Sequence, residues 1–69
     1  MDVKDLENRF THHAPKGDQA ERYVLLRGLG KSMAGAIDEA CPESREKSLA
    51  ITKIEEAVMW ANASISRNE

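Results

Sequence analysis

Apolar residues recur every three or four positions in three segments of this 69-residue chain, a spacing that is typical of amphipathic helices. Val3, Leu6 and Phe10 form the first set. The stripes of the two longer segments are Tyr23, Leu26, Met33 and Ile37, followed by Ile51, Ile54, Val58, Ala61 and Ile65. The chain has no strand-like alternation and no internal repeat. The pattern therefore predicts an all-α protein with a short N-terminal helix and two long helices.

Turn-forming residues set the boundaries of the first two helices. Pro15 disfavours helical backbone in the residue before it, and Gly17 frees the backbone just before a helix start signal. We therefore predict a helix over residues 1–10, a loop over 11–17 and a second helix over 18–40. The expected N-cap of this second helix is the aspartate at its start, which has a glutamate three residues later as in a capping box.

Pro42 separates the two long helices. Because proline is tolerated in the first turn of a helix but not in its interior, the third helix is predicted over residues 42–67. A linker this short makes the two long helices antiparallel. Residues 1–69 are therefore expected to form one helical-hairpin domain.

The apolar residues outnumber those that a hairpin can bury. Five large side chains point away from the expected contact between the long helices: Leu25, Leu29, Leu49, Met59 and Trp60. We predict that they form the interface of a homo-oligomer. The alternative is a monomeric three-helix bundle in which the first helix folds back over Trp60.

Composition narrows the possibilities. The net charge of -2 argues against general binding of duplex nucleic acid. No apolar run is long enough for a signal peptide or a membrane span, so we expect a cytosolic protein without a membrane partner. A single cysteine, Cys41, excludes an internal disulfide, and the adjacent His12 and His13 lack the spacing of zinc ligands. No metal or cofactor is predicted, which leaves self-association as the source of stability.

The sequence contains no recognisable catalytic motif. Its serines and threonines lack a glycine-flanked nucleophile turn, and "RGLGKS" has the wrong length for a phosphate-binding loop. We therefore predict that the protein is not an enzyme.

The segment "RFTHHAPKGDQAERY" is better suited to binding. Phe10, His12 and His13 could stack on flat rings, and four basic residues could contact phosphates: Lys16, Arg22, Arg27 and Lys31. The alternative is that the loop has only a structural role and stabilises the N-terminus of the following helix. On the third helix, one face presents a further polar set that could hold phosphate or ribose hydroxyls, or simply bind water: Arg45, Ser48 and Thr52.

Two stretches, "FTHHAPKGDQAERY" and "CPESREKSLAITKIEEAVMWANASISRNE", resemble the phage helical-hairpin sponges of immune signals, the anti-CBASS and anti-Thoeris proteins. The resemblance covers nearly the whole chain. It implies a small homo-oligomer, a hexamer, that binds cyclic di- or trinucleotides or cyclic ADP-ribose isomers without chemistry. By sequestering these second messengers in the host cytoplasm during infection, such a protein would block antiphage immune signalling.

The resemblance also implies roles for individual residues. Four residues match the pattern: Pro15, Arg22, Tyr23 and Arg27. His12 stands where related sequences often have tyrosine, which leaves base preference open. His12 or His13 would stack on a base while Arg27 or Lys31 contacts phosphate. Contributors to a second type of site would be Arg45, Ser48, Thr52 and Arg67. Surface or interprotomer salt bridges are the competing explanation for these residues.

Two other functions remain open from the sequence. A phage structural or adaptor protein could use an exposed apolar helix face for protein–protein interaction and would need no ligand. A single-stranded nucleic-acid binder could use the same basic loop, with strong salt dependence.

Overall fold

The structure, a computed structural model, describes all residues from 1 to 69 and contains three helices and no strand. These are α1 (Val3–Phe10), α2 (Gln19–Ala40) and α3 (Arg45–Asn68). Helices α2 and α3 pack against each other as the hairpin, which confirms the all-α prediction. None of the three helices combines the length and the apolar character that a membrane span requires.

The third helix begins later than the sequence pattern predicted. It starts at Arg45 and not at Pro42, because Ser44 is its N-cap. The Ser44 Oγ accepts a hydrogen bond from the backbone N–H of Lys47 at 3.1 Å and donates one to the Pro42 carbonyl at 3.1 Å. A serine hydroxyl satisfies one of the orphan N–H groups of a helix start, which a proline ring cannot do.

The start of α2 also differs from the expected capping box. Asp18 occupies the N-cap position, but its side chain makes no capping hydrogen bond. Its carboxylate instead forms an ion pair with Arg22 at 3.1 Å, one helical turn away. Just before the helix, Gly17 has a φ of 59°, the only positive φ in the chain. Glycine adopts this left-handed conformation without a steric penalty, so it allows the loop to turn into α2.

Gly30 lies at the closest approach of the two long helices. A Cβ atom at this position would lie only 2.6 Å from Val58 Cγ2. The half-buried positions of the contact follow the predicted stripes, with one exception. Met33 is 59% exposed and lies beside the contact, whereas Ala34 is half-buried within it. Small residues at the seam therefore let the helices pack closely.

The hairpin is one helix layer thick, with extents of 45 × 29 × 13 Å. No apolar side chain is fully buried anywhere in the chain; the two buried residues are Gln19 and Lys47. Helix α1 does not complete a three-helix bundle, since Trp60 stays 55% exposed and Phe10 84% exposed. A single chain therefore has a seam between two helices in place of a hydrophobic core.

An ionic cluster fixes the turn between α2 and α3. The Lys47 ammonium lies 2.9 Å from an Asp38 carboxylate oxygen and 2.5 Å from one of Glu43, and its side chain is 7% exposed. Hydrogen bonds to Glu43 and Asp38 raise the pKa of Lys47. The ion pairs of Lys47 with Asp38 and Glu43 thus connect the loop between α2 and α3 to the first helical turn of α3.

Candidate functional site

A shallow groove of about 260 Å³ lies near the open end of the hairpin, where the loop meets both long helices. Its lining is mostly polar and comprises His13, Tyr23, Arg27, Asn62, Ala63 and Ser66. The loop, α2 and α3 all contribute, so hairpin closure is required to assemble it. A groove of this composition can offer hydrogen-bond donors, acceptors and one cation to a polar ligand.

Two polar atoms in this groove lack partners within the chain. The Tyr23 hydroxyl and the Asn62 Oδ1 are buried and make no hydrogen bond. Buried polar atoms in folded proteins are almost always satisfied, because an unmade hydrogen bond costs about 1–3 kcal/mol. A ligand, a water molecule or another protein chain that supplied these hydrogen bonds would be stabilised here.

A second groove of about 260 Å³ continues along the same broad face of the hairpin. Arg27 lines both grooves, and Lys31, one turn further along α2, lines the second together with Glu55. Neither basic side chain forms an ion pair, and both are exposed. Two free cations on one helix face favour the binding of an anion. Apart from its three charged residues, the second groove is lined by glycine and apolar side chains. We refer to the two grooves together as the polar face.

Hydrogen bonds position the loop beside the polar face. The His13 Nε2–H donates to the Asn8 carbonyl at 3.0 Å, and the Asn8 Nδ2–H donates to the Arg67 carbonyl at 3.2 Å. This chain of contacts ties α1, the loop and the end of α3 together. With Nε2 acting as donor, the neutral His13 ring keeps Nδ1 available as an acceptor.

Arg22 is engaged by acidic groups. Its guanidinium forms a bidentate pair with the Glu69 carboxylate, with Nη1 donating to Oε2 at 2.8 Å, and it also pairs with Asp18. The hydrogen bonds from Arg22 and from Gln19 lower the pKa of Glu69 to about 2. The carboxylate in turn raises the pKa of Arg22 above its ordinary value. In this structure, Arg22 therefore binds acids of its own chain.

The opposite broad face is apolar. A groove of about 310 Å³ runs along it, lined by Leu26, Leu29, Gly30, Met33, Ile54, Ala57, Val58 and Ala61. Leu29 is 59% exposed, as is Met33. We call this surface the apolar face. Exposed apolar area of this kind is typical of a surface that binds another protein or another copy of the chain.

The structure brings only part of the predicted ligand-binding set together. His13, Arg27 and Lys31 line the polar face. The remaining residues line none of the three grooves: Phe10, His12, Pro15, Arg22, Arg45, Ser48, Thr52 and Arg67. Arg45 and Arg67 lie at opposite ends of α3, about 33 Å apart along its axis, so they cannot share one site within a chain.

The predicted interface residues are all exposed in the single chain. Leu25 is 58% exposed, Leu29 59%, Leu49 47%, Met59 53% and Trp60 55%. The Trp60 Nε1–H donates to Glu56 within α3 at 3.4 Å, so the indole ring lies along the outside of its own helix.

Sequence reasoning did not select Asn62 and Ser66 as site residues. A signal for Asn62 was present, because it is a polar residue next to the apolar stripe of α3, four positions after Val58. A polar side chain at such a position often serves a partner or a ligand. Its neighbour across the groove, Tyr23, was assigned only to packing.

The arrangement of polar groups is suited to binding. No group of three or more histidine, cysteine or acidic residues is placed to hold a metal ion. The polar face presents cations, a hydroxyl and an amide, and it presents no serine or cysteine hydrogen-bonded to a histidine, the pairing that nucleophilic catalysis needs.

Comparison with known proteins gives a single finding. The model of the family described as "Acb2/Tad1, hairpin domain" matches residues 1–66. Searches of curated proteins and of solved structures gave no match. Since the family model covers all three helices up to the last turn of α3, this chain belongs to the Acb2/Tad1 hairpin-domain family, the anti-CBASS and anti-Thoeris sponges.

Proposed function

We propose that this protein binds cyclic oligonucleotide or cyclic ADP-ribose-type second messengers and withholds them from host immune effectors, without altering them. The family supports binding of cyclic nucleotides as the general activity. The observation that carries the proposal is the polar face. There, the free cation Arg27 shares a groove with the unpartnered Tyr23 hydroxyl and Asn62 Oδ1, and Lys31 lines the adjoining groove one turn further along α2.

The chemistry of a cyclic nucleotide matches this set of groups. Its phosphodiesters are anions that pair with Arg27 and Lys31, and its bases and riboses offer donors and acceptors for Tyr23 and Asn62. His13 borders the same groove and supplies a flat ring for stacking. Phe10 at the end of α1 and the loop residues His12 and Pro15 are exposed, and they would extend this stacking surface in an assembly of several chains.

We further propose that the protein works as a homo-oligomer, a hexamer. No apolar side chain of a single chain is fully buried, so the seam alone contributes little stability. A domain of this size needs additional stabilisation. The interface would use Leu25, Leu29, Leu49, Met59 and Trp60. Ligand sites usually enclose most of the ligand surface, and an open groove on a hairpin 13 Å thick needs a second wall. A neighbouring chain would provide that wall.

A second type of site would form where ends of different chains meet. Arg45, Ser48 and Thr52 are exposed on α3, and Arg67 lies at its far end. Since these residues cannot converge within one chain, a shared site requires Arg67 from another protomer. We propose that this site also takes a cyclic messenger, and that both sites operate in the cytoplasm of the infected host.

Sequestration requires affinity and not turnover. A sponge lowers free messenger only if its sites outnumber the messenger and its Kd lies below the effector's threshold. Walls that are rigid before binding reduce the entropy lost on closing around the ligand.

The test is native mass spectrometry of the protein purified from cells, followed by calorimetry against cyclic dinucleotides, cyclic trinucleotides, cyclic ADP-ribose isomers and linear controls. Tight binding of unaltered cyclic ligand at fixed stoichiometry is expected. Arg27→Ala should weaken binding while the oligomer persists, and Trp60→Ala should break the oligomer into smaller assemblies. Lys53→Ala is the matched control, because Lys53 is 74% exposed and lines neither groove of the polar face.

The same measurements separate the other functions. Recovery of a cleaved nucleotide would identify an enzyme. Absence of binding to every cyclic messenger would favour an adaptor protein.

A further inference from the structure

Four donor groups converge on one acidic residue at the open end of the hairpin. Arg22 donates from both terminal nitrogens to the Glu69 carboxylate, and Gln19 Nε2–H donates to the same carboxylate at 3.2 Å. Lys16 Nζ donates to the Glu69 backbone oxygen at 2.6 Å. A guanidinium fork, an amide and an ammonium are the groups that proteins use to bind phosphate oxygens.

Two of the donor residues, Gln19 and Arg22, are held in place by contacts that do not involve Glu69. Gln19 is 4% exposed, and its Oε1 accepts a hydrogen bond from the Lys16 backbone N–H at 3.1 Å, which orients its Nε2. The Asp18 carboxylate lies 3.1 Å from the Arg22 guanidinium and holds that side chain from the other side. The Gln19 amide and the Arg22 guanidinium would therefore keep their positions if the Glu69 carboxylate moved away.

Glu69 does not satisfy the whole cluster. The Arg22 Nε–H is buried and has no acceptor. A carboxylate offers two oxygens, which the terminal nitrogens and Gln19 already use. A phosphate group carries additional acceptor oxygens and could bind the remaining donor as well.

Glu69 lies at the solvent-exposed edge of this cluster. Its side chain is 42% exposed, so water is available to hydrate its carboxylate when a ligand takes its place. It lies outside residues 1–66, the part of the chain that matches the family model, whereas the donor residues lie within it. The donors and the acid thus come from different parts of the sequence.

We propose that Lys16, Gln19 and Arg22 form a binding site for a phosphate oxyanion, and that Glu69 occupies this site as an internal competitor until the ligand displaces it. The inference rests on the proposed function only for the source of the phosphate, a phosphodiester of a cyclic messenger. Because the competitor must leave first, the apparent affinity is the intrinsic affinity multiplied by the fraction of molecules in which the site is open.

The test compares Glu69→Gln with the unmodified protein in titrations with inorganic phosphate and with dimethyl phosphate, a simple diester, at constant ionic strength. Removing the charge of the competitor should tighten binding of dimethyl phosphate about fivefold or more. Glu46→Gln is the matched control, since it changes net charge equally in the first turn of α3, about 35 Å from Glu69 along the helix axis. It should leave the affinity unchanged.

A second variant identifies the donor. Adding Arg22→Gln to Glu69→Gln should abolish the gain in affinity. Equal effects of Glu69→Gln and Glu46→Gln, or a gain that survives the loss of Arg22, would overturn the proposal. A gain for inorganic phosphate alone would keep the site and overturn its assignment to a messenger diester.

The unmodified protein provides a readout that does not depend on how the variants fold. The side-chain amide signals of Gln19 in two-dimensional NMR should move as phosphate replaces Glu69. If these signals stay fixed while the phosphate salt reaches its highest usable concentration, the site does not exist. Because simple phosphates are the probes, failure here is distinct from failure of messenger binding at Arg27.

Discussion

Substitution of Gly30 by alanine tests the close packing on which the hairpin depends. The added Cβ would lie 2.6 Å from Val58 Cγ2 and 3.6 Å from Ile54 Cγ2. Carbon atoms pack favourably at about 3.5–4.0 Å, so the methyl group requires about 1 Å of movement at Val58. Valine has one strongly preferred rotamer in a helix, so rotating its side chain away also costs energy.

The net effect of Gly30→Ala is the difference between two terms. Overpacking costs about 1–3 kcal/mol, and alanine is about 1 kcal/mol more favourable than glycine inside a helix. The free energy of unfolding should therefore fall by about 0–2 kcal/mol. Gly28 and Gly35 are internal controls, since an added Cβ there meets nothing within 4 Å. Alanine at either position should raise the stability of the isolated chain by about 1 kcal/mol.

Thermal unfolding followed by circular dichroism measures these differences, with about 4–8 °C in Tm for each kcal/mol in a domain of this size. The scans should be run at several protein concentrations, because self-association would add to the apparent stability. The double variant Gly30→Ala/Val58→Ala should lose less stability than the separate effects would sum to, because the clash is absent. If Gly30→Ala raises Tm as much as Gly28→Ala does, the close approach at Gly30 is wrong.

Three further predictions use the same preparations. Lys47→Met should lower Tm because it leaves Asp38 and Glu43 without their cation. Lys53→Met, at a residue 74% exposed, should not lower it. Equal Tm values for the two variants would contradict a structural role for the buried lysine. The Glu69 pKa of about 2 lies below the ordinary 4.5, so its stabilising contribution is present above about pH 4.5 and is lost as the pH falls toward 2. The Tm difference between the unmodified protein and Glu69→Gln should therefore shrink as the pH falls from about 4.5 to 2 and disappear below that, and a difference that does not shrink over this range would refute the assignment. Leu29→Glu and Trp60→Glu should each give a smaller oligomer in sedimentation and the double variant a monomer; a monomer from either single change would contradict two independent contacts.

The helices could be predicted from the sequence because their signals are local. Apolar residues three and four positions apart define a stripe whatever the rest of the chain does. The same locality explains why Arg27 and Lys31 line one groove, since residues four apart lie on one helix face. Whether Asn62 lies beside Arg27 depends on which turn of α3 packs opposite Arg27 on α2. No short segment of sequence contains that information.

The helix ends show why local signals were insufficient. Asp18 is a good capping residue by type, but Arg22 one turn later attracts its carboxylate. At the next helix, Pro42 and Ser44 are competing start signals two residues apart, and the serine is the N-cap because its hydroxyl binds the Lys47 N–H. Such outcomes depend on which of several partners a side chain reaches.

The chain has two exposed apolar surfaces, the apolar face and the side of α3 that carries Trp60, and both affect how copies could associate. With about 100° of rotation per residue, Trp60 lies about 200° around α3 from Val58 and therefore points away from α2, whereas Leu29 borders the groove of the apolar face. One self-complementary contact can cover only one of these surfaces, so covering both requires two different contacts and an assembly larger than a dimer. Arg27 lies on the opposite broad face from that groove, so contacts through the apolar face and through Trp60 leave its guanidinium open to an anion. In the proposed assembly, self-association and ligand binding would therefore draw on different side chains of the same two helices.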